Sequence, residues 1–326
     1  MLDTQRDTML ETAGQSQGTH ERCAWCEAEL GAQARRPRGR VHCERCGAYT
    51  TSPWPDAQTL DEAYGGAYRP SAGRFSGPGD RLLELTRARL AARIDEIAPA
   101  GGVLDVGAGP GALVRALRRR GRAALGLERS DVAAAHGEMP GPEDAKSGPL
   151  VIDAELADVR GTWAAVVFWH SLEHLPRPRA ALTEAAAHLA PGGILAVAVP
   201  NAASLQASVF GDDWLHLDLP RHLTHAPAAT LIEALRQLGL RVERVSYWRG
   251  GQVMIGWLHG LVGALPGHPS LYDALRRPEA RWQQMGGGRR AGILLAATLL
   301  APVAAVMSVV EVAMHRGGSI YVEARK

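Results

Sequence analysis

Val103-Leu104-Asp105-Val106-Gly107-Ala108-Gly109-Pro110-Gly111 decides the fold. A short apolar run with one embedded acid meets three alternating glycines. Ala112 to about Arg120 then follows at helical spacing until Gly121 stops it. Strand, glycine turn and helix in that order open a βαβ unit. Glycine lets such a turn adopt positive φ and lets a ligand approach the backbone, although a tight turn without a ligand uses the same residues. The pattern is GxGxG, not the GxGxxG of dinucleotide turns. Asp105 at its head would repel a pyrophosphate and suits a cationic ligand.

Outward from this turn, strands and helices alternate. Upstream, Leu82, Leu83, Leu85, Leu90, Ile94 and Ile97 mark a helix from Arg81 to Ile97, ended by Pro99 and Gly101-Gly102. Downstream, Ala123–Leu127 reads as a second strand closed by Glu128, Leu150–Ile152 as a third followed by Asp153, and Ala164–Trp169 as a fourth. A helix over 178–189 ends at Pro191-Gly192-Gly193, and Ile194–Val199 is a fifth strand. Pro227–Leu238 forms a further helix, and Val242–Tyr247 a sixth strand. This alternation predicts an α/β fold with a doubly wound sheet. Three carboxylates, Asp105, Glu128 and Asp153, fall at three successive strand ends. They suit an uncharged or cationic nucleoside, with Glu128 placed to accept ribose hydroxyls.

With those positions in hand, the chain resembles the class I S-adenosylmethionine-dependent methyltransferases from about Val103 to Tyr247. His170-Ser171-Leu172-Glu173-His174, Leu189-Ala190-Pro191-Gly192-Gly193, Pro200-Asn201 and Gly211 through His222 resemble one subgroup. That subgroup includes ubiquinone-pathway-like O-methyltransferases and bacterial enzymes of cell-envelope and natural-product pathways. The resemblance implies a seven-stranded, Rossmann-like sheet with an antiparallel last strand, for which Ser319–Arg325 fits. It also implies that Asp105, Gly107 and Gly109 hold the methionine part of the cofactor, Glu128 the ribose and Asp153 the adenine. The backbone near Trp169 and His170 would lie along the cofactor, and Tyr68 would cover it. Methyl transfer to a hydroxyl requires near-attack geometry and removal of a proton. His174 and His222 are the candidate bases, with Glu173 orienting an imidazole or the acceptor; a satisfied structural pair at a helix start accounts for His170 and His174 equally well.

All four cysteines lie in one module, as Cys23-x2-Cys26, sixteen residues, Cys43-x2-Cys46. This spacing sets four thiolates around one tetrahedral zinc, and with every ligand position filled the site is structural. The same subgroup often carries such knuckles. Arg35, Arg36, Arg38 and Arg40 lie between them, as a solvated loop or a phosphate contact. An RNA methyltransferase is therefore the second enzyme reading. Against it stand a formal net charge of +2 over 326 residues and a module without interleaved aromatics.

Gly292 to Val310 is free of charge for nineteen residues, enough helix to span roughly 28 Å. Arg289-Arg290 precede it, and Glu311, His315 and Arg316 follow. If Ser319–Arg325 pairs with the sheet, the insertion leaves and re-enters one domain and must cross a bilayer an even number of times, zero included. With Val253–Leu265, it reads as a monotopic, hairpin or re-entrant attachment in which both pieces dip into one leaflet; a buried helical subdomain or a homodimer interface fits the same residues. No basic-then-apolar signal opens the chain, and thiolate zinc suits a reducing cytosol. The expected organisation is a disordered tail (1–20), a zinc-knuckle module (21–50), a linker or cap (51–80), the cofactor-binding core (81–250), the apolar insertion (251–317) and the last strand (318–326). The expected partners are S-adenosylmethionine, zinc, a small-molecule or lipid-linked acceptor and the inner face of a membrane, with no nucleic acid. A non-catalytic, membrane-bound assembly factor is the third reading.

Overall fold

The computed structural model describes residues 21–65, 75, 79–128, 144–146, 148–249, 251–278 and 285–326. The tail 1–20 and Tyr68 lie outside them. In chain order the elements are β1 (Arg40–His42), β2 (Tyr49–Thr51), α1 (Ala57–Tyr64), α2 (Gly79–Ile97), β3 (Val103–Val106), α3 (Ala112–Arg119), β4 (Ala124–Glu128) and β5 (Val151–Asp153). There follow β6 (Trp163–Trp169), α4 (Pro178–Ala187), β7 (Leu189–Pro200), α5 (Leu205–Phe210), β8 (Thr224–His225), α6 (Ala228–Gln237) and β9 (Arg241–Ser246). Last come α7 (Gly251–Gly263), α8 (Leu271–Leu275), α9 (Gly287–Ala313) and β10 (Ser319–Arg325).

Seven strands form the main sheet in the order β5-β4-β3-β6-β7-β10-β9. The pairs from β5 through β7 are parallel, and β10 runs antiparallel to both β7 and β9. All four residues of β3 are buried, as a parallel strand covered on both faces requires. One face packs Leu104, Leu125, Phe168 and Val197 against Leu182 of α4 and Leu235 of α6. The other packs Val167 and Ala196 against Leu90 and Ile94 of α2 and Leu113 and Leu117 of α3. From β3 the chain moves first toward β5, then back across to β6. That reversal opens a crevice at the carboxyl ends of β3 and β6, where open α/β sheets bind ligands.

The predicted strands appear with boundaries shifted by a residue or two. One reading changes: Pro191-Gly192-Gly193, expected as a turn before the fifth strand, lies inside β7. Pairing with β6 jumps from Trp163↔Leu189 to Ala165↔Ile194, so the proline and glycines sit in an irregularity while regular pairing resumes at Ile194. A second, three-stranded sheet, β1-β2-β8, was not predicted. It joins the cysteine module to the segment just before α6.

Candidate active site

The glycine turn is held from both sides. The Gly107 and Ala108 N–H groups both donate to the Leu127 carbonyl, tying the turn to β4. Gly107 adopts φ +76°, and a Cβ there would lie 2.3 Å from the Ser171 Cβ, so neither conformation nor space admits a side chain. Gly109, at φ +54°, has nothing within 4 Å of a would-be Cβ: its face is open toward the crevice. Its N–H donates to Glu128 Oε2 at 2.7 Å. Glu128 and Asp153 pair in register at the ends of β4 and β5, so these two predicted carboxylates are neighbours across the strands. Asp105 is buried in β3. Burial pushes its carboxyl up to about 7, the Arg87 guanidinium of α2 pulls against that, and Glu128 adds to it. A cation placed in the crevice would restore the carboxylate.

The second cluster forms where β6 ends. His170 takes a left-handed backbone at φ 54°, and a short 3-10 turn over Leu172–His174 follows. The turn brings Glu173 and His174 beside His222. One ligating atom of each of these three residues lies within 4.8 Å of the others, close enough to hold one proton or one cation in common. His174 Nδ1 lies 2.9 Å from the Arg221 carbonyl and 2.9 Å from the Tyr64 hydroxyl of α1. A carbonyl only accepts, so Nδ1 carries a proton, and in the neutral ring Nε2 is the nitrogen that holds the lone pair. His222 is fixed the same way: its Nδ1 donates to the His216 carbonyl at 2.9 Å. Its Nε2 lies 3.7 Å from Asp218 Oδ2 and 3.9 Å from Glu173 Oε1. Burial, then the neighbouring His174 and His225, hold His222 well below the usual imidazole range. Glu173 moves the opposite way, pushed by burial up to about 7, and its Oε2 has no hydrogen-bond partner. His170, predicted beside the cofactor, turns its Nδ1 to within 3.3 Å of Glu173 Oε1.

Its sequence places the chain among known proteins. Residues 80–245, just over half of it, match the family described as Methyltransferase domain. A ubiquinone biosynthesis O-methyltransferase of Xanthomonas axonopodis pv. citri (strain 306) is 32% identical over 181 residues, covering 52% of this chain and 75% of that protein. One from Xylella fastidiosa (strain M23) is 34% identical over 186 residues, covering 53% and 74%. The chain belongs to the class I S-adenosylmethionine-dependent methyltransferases. A crystallised S-adenosylmethionine-dependent methyltransferase from Archaeoglobus fulgidus is similar over 74% of this chain and 94% of its own, at 17% identity and a TM-score of 0.45.

In this methyltransferase the cysteine module is part of the site's scaffold. The Cys23–Cys46 and Cys26–Cys43 sulfurs are 3.6 Å apart, and one sulfur of each of the four residues lies within 4.8 Å of the others. A tetrahedral zinc with bonds of about 2.3 Å places its sulfurs roughly 3.8 Å apart, so the arrangement fits one ion. Contact with Cys46 pulls the Cys23 thiol down to about 5, while the same contact pushes Cys46 up. From this knot, Thr230 of α6 donates to the Cys46 carbonyl at 2.6 Å. On β2, the Thr51 hydroxyl donates to the His222 carbonyl at 2.6 Å. The Thr51 N–H bonds the Leu223 carbonyl, and the Leu223 N–H bonds the Glu173 carbonyl. Two of the three clustered side chains are thus hung on the cysteine module's sheet.

Several functional neighbours escape sequence reasoning. Tyr64 comes from the stretch read as linker, and only tertiary contact puts it on His174. His216 carries the carbonyl that fixes His222, and its ring stacks parallel to that of His170 at 6.5 Å. The guanidinium groups of Arg249 and Arg87 lie over the ring of the already expected Trp169, at 4.1 Å and 4.9 Å from its centre. A cavity of about 430 Å³ opens between the cysteine module and the insertion, lined by Arg38, Asp212, Asp218, Leu219, His259 and Ser270 among others. Asp218 touches both this cavity and His222. For Asp212, His216, Asp218 and Leu219 the signal available was the continuous run Gly211–His222, which marks a loop of interest without saying which way each side chain points.

Proposed function

We propose that this methyltransferase alkylates an oxygen of a small or lipid-linked acceptor, with His174 as general base. When bound, S-adenosylmethionine supplies the electrophilic sulfonium methyl group. Asp105, Gly107 and Gly109 hold its methionine part, Glu128 its ribose and Asp153 its adenine. The acceptor hydroxyl would give its proton to His174 Nε2 as its oxygen takes the methyl group, whose bond to the donor sulfur would break. His222 and Glu173 line the same space and orient the acceptor hydroxyl, and the cavity beside Asp218 is the acceptor's room. The single observation that carries this reading is the fixed His174 tautomer, with Nδ1 tied to the Arg221 carbonyl, next to a buried carboxyl and a second imidazole. The two relatives named as O-methyltransferases support transfer to oxygen.

The division into a knuckle module, a core and an insertion belongs to this proposal, as does one structural zinc on Cys23, Cys26, Cys43 and Cys46 in a cytoplasmic enzyme. The arginines between the knuckles do not favour RNA: Arg40 pairs with Asp212 at 3.2 Å, and Arg35 and Arg40 both lie over the Tyr49 ring.

The test follows methyl-labelled donor into small-molecule and lipid extracts of cells lacking the enzyme. His174→Ala should lower transfer by about a hundredfold or more, the usual worth of a positioned base. Full turnover by both His174→Ala and His222→Ala would remove base catalysis from this cluster. Gly107→Val should abolish donor binding measured by calorimetry, and retained affinity would sink the glycine-turn assignment.

A further inference from the structure

Helix α9 covers 27 residues, roughly 40 Å. Only Ile293, Ala304, Ser308 and Glu311 are buried, a single stripe that packs in one apolar cluster with α7 and α8. The opposite stripe, Leu295, Leu299, Val303, Val306, Val309 and Val310, recurs every three or four residues and faces outward, Leu299 at 71% exposure and Val306 at 62%. Such a surface is costly in water. Beside it, the Thr298 hydroxyl is turned onto the helix itself, donating to the Leu294 carbonyl. Glu311 spends both oxygens on Gln206, Trp257 and the Gly318 N–H.

We propose that this face lies flat in one leaflet of an anionic bilayer and does not cross it. Both ends of α9 are tied to the same core. At its start, Arg290 donates to the Ala274 carbonyl of α8 at 2.9 Å. Just beyond α8, Arg277 pairs with Asp80 of α2 and donates to the Phe75 carbonyl. At its end, Glu311 is locked as above, and Arg316 donates to Ser208 of α5 at 2.7 Å. A helix with both ends on one soluble body cannot put one of them across a membrane, so its outer stripe dips into the near leaflet as an interfacial helix does.

Charge selects the occupant. Between Met285 and Arg316 the acidic residue is Glu311, which is buried, whereas Arg289 and His315 are exposed and Arg290 and Arg316 half-exposed. Both ends of the stripe are therefore basic. Two copies packed along it, parallel or antiparallel, would set cations against cations, while anionic headgroups complement both ends. The inference does not depend on the identity of the acceptor or of the catalytic base.

Flotation of the full-length protein with vesicles of phosphatidylglycerol and phosphatidylcholine tests it. Binding is expected to anionic vesicles, to fall tenfold or more on pure phosphatidylcholine, and to be lost in a Leu299→Glu/Val306→Glu variant that still binds S-adenosylhomocysteine. Arg289→Glu should weaken the preference for anionic lipid. Bimane placed at Leu295→Cys, Leu299→Cys, Val306→Cys and Val310→Cys should report one shallow depth; a deep middle with shallow ends means a crossing helix and overturns the flat geometry. Absence of binding by a protein competent for S-adenosylhomocysteine, wild-type flotation of the double variant, or a dimer in light scattering that the same substitutions dissociate would each overturn the proposal.

Discussion

The cysteine module and the apolar hairpin made by α7 and α9, which pack on each other, are both appended to the methyltransferase sheet, but by different means. The module is joined by backbone: β2 pairs with β8, and Thr51 and Leu223 carry that pairing to His222 and Glu173. The hairpin is joined chiefly by side chains, around the buried carboxylate of Glu311. A backbone splice fixes positions to a fraction of an ångström and can set the geometry of a reacting group. A side-chain knot holds a large element in place while leaving its outer surface uncommitted. In the two proposals made above, the first attachment serves the chemistry and the second serves location.

The contrast fails most visibly if the cysteine module proves dispensable. Cys43→Ser with Cys46→Ser, or zinc removal by a chelator, should cut methyl transfer by more than a hundredfold. S-adenosylhomocysteine affinity should stay within a few-fold, because the glycine turn lies elsewhere on the sheet; metal analysis alongside kinetics and calorimetry checks both halves. The hairpin predicts the reverse pattern. Glu311→Ala strands three buried donors and should cost about 3 kcal/mol in denaturant unfolding, with little change in the transfer rate of the folded fraction.

A pH profile sharpens the role of the turn itself. Asp105 rises from the ordinary 3.8 to about 7 in the folded chain. Between those values the unfolded state has lost the proton that the folded state keeps, so the Asp105 contribution to stability falls as pH rises through that window. A bound cation reverses the preference. Affinity for S-adenosylmethionine should therefore climb with pH up to about 7, by at most about tenfold per unit, and Asp105→Asn should flatten the climb in calorimetry. The smallest effect tests the splice: Thr51→Val removes one hydrogen bond to the His222 carbonyl, worth about 1 kcal/mol, and should lower kcat a few-fold without moving donor affinity.

Local patterns made the sheet and its turn readable. Each parallel strand is an apolar run, and Gly107 and Gly109 mark the turn within a nine-residue window. Cysteine spacing was equally local. What escaped was long-range. β8 is two residues long, too short for any periodicity, and its partner β2 lies some 175 residues earlier. Tyr64 reaches His174 across 110 residues. Glu311 reads in sequence as the charge that ends an apolar stretch, yet it is buried, because its three partners come from α5, α7 and the segment before β10. The apolar run and its return to the sheet through Ser319–Arg325 were legible; which side chains tie down its two ends could be seen only in three dimensions.

The place of β10 has a consequence for how the chain is made. This strand lies between β7 and β9 in the sheet, yet it follows the whole apolar hairpin in sequence. During synthesis the long apolar helix α9 leaves the ribosome while the sheet still has an open slot and β9 lacks its interior neighbour. Until that slot closes, the nascent chain exposes an unpaired strand edge and an apolar helix together, the combination most prone to aggregation. An early landing of the helix on lipid would shelter one of them, so the order of translation ties assembly of this fold to the surface on which it is proposed to act.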